Sequence, residues 1–201
     1  MPIERDEAIV LRLTEYSETS QIATLFGAAG GRLRLIAKGI RRGTAKRIAT
    51  GLDLLELGDV QFLPARGESG LGTLTEWTQR DTFAGLRREL LRLYAALYAG
   101  ELLATFTEDR DPHPALYHAL RTLLYDLAGS APAAPLVPRF QLALLTEIGY
   151  APRLDQCVNC GRVPAPRTPV YFSATTGGLI CRDCEMHLVE KRRIDSALLT
   201  G

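Results

Sequence analysis

The residues best suited to chemistry lie together. All four cysteines fall within CVNCGRVPAPRTPVYFSATTGGLICRDC, as two Cys-x-x-Cys pairs with 20 residues between them. A thiolate is a good zinc ligand, and four of them complete a tetrahedral ion. Two intervening residues let both sulfurs of a pair reach one metal from a tight turn. The pairs then come from opposite ends of a loop, in which Gly177-Gly178 can turn between two strands, PVYFS and LICRD. This is a zinc-ribbon layout, and it predicts structural Zn2+ on Cys157, Cys160, Cys181 and Cys184. His187 is close enough in sequence to substitute for Cys184. Four protein sulfurs leave no position open for water, so hydrolytic zinc chemistry is not expected. A thioredoxin-like role would need one Cys-x-x-Cys opening a helix after a strand.

No other constellation of catalytic type stands out. The three histidines, His113, His118 and His187, fit no Ser/His/Asp or Cys/His pattern, and no phosphate-binding Gly-x-x-x-x-Gly-Lys motif is present. The chain therefore reads as a non-enzyme. A net charge of +1 hides a local imbalance: Arg32, Arg34, Lys38, Arg41, Arg42, Lys46 and Arg47 follow one another with no acidic residue between them. On an alternating strand Arg32 and Arg34 share one face, and the cations after them sit in an adjoining loop. Phosphate backbones reward such a cluster through counterion release, so it is a candidate nucleic-acid contact.

Elements must position these groups. With 46% hydrophobic and 23% charged residues, the composition is that of a globular protein. No apolar stretch is long enough for a membrane span. The start, MPIERDEAIV, carries charges where a signal peptide needs its apolar region, so the expected location is the cytoplasm. Its reducing environment favours metal over disulfide. Residues 1–80 read as about five short strands: AIVLRLTEY, QIATLFG and LRLIAKG around the turn AAGGR, then DLLELGDVQFLPA and GLGTLTEWT around RGESG. Short strands with glycine-rich turns predict a small closed barrel of the oligonucleotide-binding (OB) type. Phe62 and Trp77 are expected in its core.

From Leu86 the pattern turns helical, with Leu86, Leu90, Leu93 and Leu97 on one stripe. A second helix fits Pro114–Ala128 and a third about Leu136–Glu147, closed by Gly149. The fold class is thus α+β and multidomain: an OB-fold-like barrel over 1–80, then a mostly helical domain over 81–201 carrying the four-cysteine motif at 157–184.

A basic barrel, a helical region and a four-cysteine motif in this order resemble the RecO family of bacterial recombination mediators. The likeness lies in EAIVLRLTEYSETSQIATLFGAAGGRLRLIAKGIRR, GDVQFLPARGESGLGTLTEW, FQLALLTEIGYAPRLDQCVNCG and FSATTGGLICRDC. The resemblance implies a protein that binds single- and double-stranded DNA and anneals complementary strands. It implies RecR and the single-stranded-DNA-binding protein as partners, RecA indirectly, and a place in the bacterial cytosol near the nucleoid. By position the family's basic barrel surface falls on Arg34, Lys38, Arg41, Arg42, Lys46 and Arg47, and its metal ligands on the four cysteines. The alternative reading is a zinc-stabilised adaptor with incidental DNA contact.

Overall fold

A computed structural model describes residues 2–18, 20–38, 52–65, 70–165 and 168–195. Arg41, Arg42, Lys46 and Arg47 lie outside the described residues. The chain divides into two compact units, Met1–Leu144 and Leu145–Gly201. Among the described residues no helix is long and apolar enough to cross a membrane.

The first unit opens with five strands: β1 (Glu4–Ser17), β2 (Ser20–Gly27), β3 (Gly31–Lys38), β4 (Leu57–Leu63) and β5 (Gly72–Asp81). They close into a barrel in the order β1-β2-β3-β5-β4. Every pairing is antiparallel except β3–β5, which is parallel and joins only Leu35 to Gly72 and Ile36 to Thr73. A closed five-stranded barrel of this kind fits the OB fold. Alternation builds it. Leu33, Leu35 and Ala37 of β3 point inward with Val10, Leu25, Val60, Phe62, Leu74 and Trp77, all essentially excluded from solvent. Phe62 and Trp77 are core, as their sequence context predicts.

The β2–β3 connection is the expected glycine turn. Gly31 has φ +64, and a Cβ there would stand 2.0 Å from the Asp111 carbonyl oxygen. Glycine therefore answers two demands, a left-handed backbone and a close approach by the segment after the first helix. The Asp6 carboxylate clamps the same turn, accepting from the backbone N–H groups of Ala29 and Gly30.

The helices differ from expectation in one respect. A single 3-10 turn, Ala84–Arg88, precedes α1 (Leu90–Phe106), and the chain is extended at Glu89 between them. The leucine stripe through Leu90, Leu93 and Leu97 does not form the buried face. Instead Ala96, Ala99, Gly100 and Leu103 are buried, while Leu90, Leu91, Tyr94 and Tyr98 are exposed. Gly100 lies against Leu11 of β1 and Leu55, where a Cβ would make ordinary contact at 3.6 and 3.8 Å, so the helix meets the barrel side through its small residues. Helix α2 (Pro114–Ala128) follows its pattern, burying Leu116, Tyr117, Leu120, Leu123, Leu124 and Leu127. Tyr117 and Arg121 both donate to Glu7 of β1, and Arg80 of β5 pairs with the same carboxylate. Helix α3 (Leu136–Glu147) buries Phe140 and Leu144. Gly149, at φ +81, follows it.

The second unit holds a three-stranded antiparallel sheet of order β7-β6-β8, from β6 (Val170–Ser173), β7 (Gly178–Cys181) and β8 (Arg192–Ile194). The first two are the predicted strands about Gly177, which has φ +73. Strand β8 has no sequence signal beyond RRI, too short to show a period.

Candidate metal centre and nucleic-acid interface

Two turns build the metal centre. In the first, the Cys157 carbonyl accepts from the Gly161 N–H at 2.8 Å and the Cys157 N–H donates to the Arg162 carbonyl at 2.9 Å. Gly161 supplies the positive φ of +70. In the second, the Cys184 N–H returns to the Cys181 carbonyl at 3.1 Å, directly beyond β7. A bond from the Val158 N–H to the Leu179 carbonyl fastens the first turn to that strand. All four sulfurs consequently lie within 4.8 Å of one another. Cys157 and Cys181 are buried, Cys184 is half-buried and Cys160 is exposed.

The donor set fits a tetrahedral ion. Sulfurs about 2.3 Å from a central metal stand roughly 3.8 Å apart, and Cys160 and Cys181 are separated by 3.7 Å. Electrostatics agree. Burial opposes ionisation of Cys157, but the backbone N–H groups of Cys181, Cys160 and Asn159 outweigh it and bring its pKa down to about 6. The Asn159 side chain favours the Cys184 thiolate, yet sharing with the thiols of Cys181, Cys160 and Cys157 carries its pKa up to about 11. Four adjacent thiols cannot all ionise without a cation among them, and a bound metal supplies that charge. The arrangement can hold a metal ion with every protein ligand a sulfur. The His187 side chain lies outside the described residues, and its backbone sits in the 3-10 turn Glu185–His187.

The basic face stands on the barrel. Register places Arg12 opposite Thr24 and Thr24 opposite Arg34, so the three form a row across β1, β2 and β3. Beside them Thr14, Ile22, Arg32 and Ala104 complete a cavity of about 310 Å³. The described arginines of this face are held by carboxylates. Arg12 pairs with Glu101 of α1 at 2.6 Å. Arg32 pairs through Nε with Asp109 at 2.5 Å and donates through Nη1 to the Ala104 carbonyl. Arg34, 45% exposed, reaches the same Asp109 at 3.8 Å. Arg32 is thus largely a tie between barrel and helix, and Arg34 the freer cation. Lys38 is exposed at the end of β3. Of the barrel aromatics Tyr16, Phe26, Phe62 and Trp77, only Tyr16 is open to solvent.

Arg12 was absent from the sequence-derived set, and strand alternation does not reveal it: Val10 and Leu13 face the barrel core, while a register shift between Val10 and Arg12 leaves Leu11 packed against α1. Arg110 also joins the face, and only the fold reveals it, since it comes from the segment after α1.

Comparison with known proteins settles the lineage. Residues 1–83 match the family profile described as Recombination protein O N terminal, and residues 87–200 match Recombination protein O C terminal. The chain belongs to the RecO family. Among curated relatives named DNA repair protein RecO, that of Rhodopirellula baltica is 34% identical over 178 residues, 88% of this chain and 65% of the relative. The Listeria monocytogenes protein is 30% identical over 194 residues, covering 94% of this chain and 73% of the relative. The Desulfitobacterium hafniense protein is 33% identical over 186 residues, covering 92% and 66%. The chain thus spans about two-thirds of the length of the RecO relatives it matches. RecO membership gives the barrel face and the thiol cluster a shared setting.

Proposed function

We propose that this RecO-family chain is a DNA-binding mediator of recombinational repair. It binds single- and double-stranded DNA, promotes annealing and helps load the RecA recombinase onto strands coated by the single-stranded-DNA-binding protein, in partnership with RecR. On this reading residues 1–80 are the DNA-handling barrel. Residues 81–201 carry partner contacts and a structural Zn2+ on Cys157, Cys160, Cys181 and Cys184. The protein works in the cytosol at the nucleoid and is not an enzyme. The observation that carries the reading is the Arg12–Thr24–Arg34 row on an OB-type barrel, continued by the basic run to Arg47.

The mechanism is charge neutralisation. Two DNA strands repel, and a cationic face lowers the penalty of bringing them together. Annealing then needs reversible phosphate contacts from Arg34, Lys38 and the cations after them, with no group acting as acid, base or nucleophile. A bound zinc ion would supply only rigidity, since four sulfurs leave it no open position.

The test is single-stranded oligonucleotide affinity across a salt series. Four to six phosphate contacts predict a log–log slope near −3 to −4, at roughly 0.7 per contact. Weak binding with a flat slope overturns this reading in favour of a zinc-stabilised adaptor. One observation favours that alternative, the exposed apolar stripe of Leu90, Leu91, Tyr94 and Tyr98 on α1.

A further inference from the structure

The seam between β3 and β5 is the thinnest part of the barrel, with only two residue pairs. Towards the start of β3, among the described residues, no strand lies between Arg32–Arg34 and the end of β4. The segment after α1 enters this opening: Arg32 bridges Asp109 in parallel, and the Arg110 N–H donates to the Arg32 carbonyl at 2.9 Å. A cavity of about 340 Å³ remains, walled by Leu35, Pro64, Ala65 and Gly70, with Arg34 and Arg110 among its lining.

Arg110 is built into this place. Its φ of +64 is left-handed, a conformation that a side-chain-bearing residue keeps only where its surroundings impose it. Here the backbone bond to Arg32 does so, together with a 2.7 Å ion pair from Nη2 to Glu4. The guanidinium lies over the Phe62 ring, with Cζ 5.5 Å from the centroid. Phe62 is itself 2% exposed, so it serves as backing rather than as a contact surface. Arg110 is 48% exposed, which leaves the side of its guanidinium away from Phe62 open.

A planar cation, supported from behind and bordering a small apolar cavity, is a stacking surface for a flat π system. The charges define the rest of the ligand. Arg32, Arg34 and Arg110 face Asp109 and Glu4, leaving one net positive charge for a single anionic group. The volume lies at the small end of the ~300–1,000 Å³ range of ligand pockets, which suits one nucleoside.

We propose that this cavity receives one unstacked base of bound single-stranded DNA, which stacks on Arg110 while Arg34 holds the adjoining phosphate. The inference rests on the DNA-binding reading above and adds to it a base-dependent component, distinct from the phosphate contacts of the barrel face.

The experiment compares an oligothymidylate with its abasic counterpart of equal length, each titrated across a salt series. Base removal weakens binding to the wild-type chain by about 5- to 150-fold, the range of one stacked base, with the salt slope preserved. Arg110→Gly is the truncation of choice because glycine holds the +64° backbone without strain. It shrinks the base-dependent difference at least about fivefold and lowers the salt slope by no more than about 0.7. Arg110→Lys restores the slope but not the base dependence, since an ammonium has no plane to stack. It also carries the test should the glycine variant lack a cooperative melt. A base-dependent difference undiminished in the variants, or absent from the wild type while the salt slope remains, overturns this inference alone. Failure of the wild-type chain to bind either oligonucleotide overturns the DNA-binding reading and this inference with it.

Discussion

Asp109→Asn is expected to destabilise the protein and yet tighten DNA binding. Asp109 receives the Arg32 Nε at 2.5 Å and stands 3.8 Å from the Arg34 guanidinium. The Arg32 bond is partly buried, with side-chain exposures of 21% and 32%. A hydrogen bond between charged groups contributes about 1.5–3 kcal/mol. Asparagine keeps a neutral acceptor, and Arg32 keeps the Ala104 carbonyl, so the loss falls to about 1 kcal/mol. That corresponds to a melting-point drop of roughly 2–4 °C for a chain of this size. The half-exposed Arg34 pair contributes little of its own. The effect on DNA has the opposite sign. A carboxylate about 7 Å from a phosphate in water-like surroundings repels it by ~0.6 kcal/mol, near threefold in affinity. Removing it from between two neighbouring phosphates gives about three- to tenfold tighter binding at low salt. Arg34, already a phosphate contact and no longer shared with Asp109, leaves the log–log salt slope steeper by at most about 0.7. Fluorescence anisotropy across salt, beside a thermal melt, reads both quantities. Misfolding cannot imitate a variant that melts earlier and binds more tightly. An unchanged affinity with the expected melting shift would refute the reasoning, because no phosphate would then lie close to Asp109 and Arg34.

Two further outcomes follow from the site and from the helix contact. The metal centre should take up one Zn2+ per chain, and replacement by Co2+ should give the intense thiolate-to-metal absorption of four-sulfur ligation. Because the ligands bind as thiolates, acidification weakens the metal roughly tenfold per pH unit for each proton displaced; full occupancy in Cys181→Ser would sink the assignment. Tyr117→Phe removes a 2.6 Å bond from a buried phenol to Glu7 and should cost about 1.5–3 kcal/mol. Burial, and next the Glu7 carboxylate, hold the Tyr117 pKa above its ordinary 10.0. The unfolded chain ionises there and the folded chain does not, so this stability is full below pH 10.0 and is lost as pH rises beyond it. Urea melts above that pH should therefore fall less steeply for the phenylalanine variant than for wild type.

The cysteine site was legible because spacing alone constrains it: two short turns can each present two sulfurs, whatever the loop between them does. The barrel was legible for a similar reason, since LRLIAK and LGDVQFL alternate and the glycines mark turns. The face of α1 was not. Its leucines outnumber its alanines, and transfer free energy favours burying the leucines. The three-dimensional packing buries Ala96, Ala99 and Gly100 instead, Gly100 against Leu11 and Leu55, and no one-dimensional pattern encodes that choice of face. Arg110 was hidden for the same kind of reason, because its position depends on how the segment after α1 meets β3.

The pairing of the barrel arginines bears on how such a face would work. A free arginine at the surface samples many rotamers and loses them on contact with a phosphate. Arg12 and Arg34 of the row already stand beside Glu101 and Asp109, so a contacting strand gains pre-placed donors but must compete with a carboxylate for them. Competition of this kind lowers affinity while keeping the geometry of the row, and it makes release fast. For annealing, fast release is an advantage, because a strand held too firmly cannot search a second strand for its register. On the proposed reading, the paired arginines set where the strand lies. Lys38 and the cations after it, without acidic neighbours in sequence, supply most of the attraction. Charge reversal at Lys38 should therefore reduce affinity and flatten the salt slope without moving the melting temperature. Charge reversal at Arg32 should lower all three.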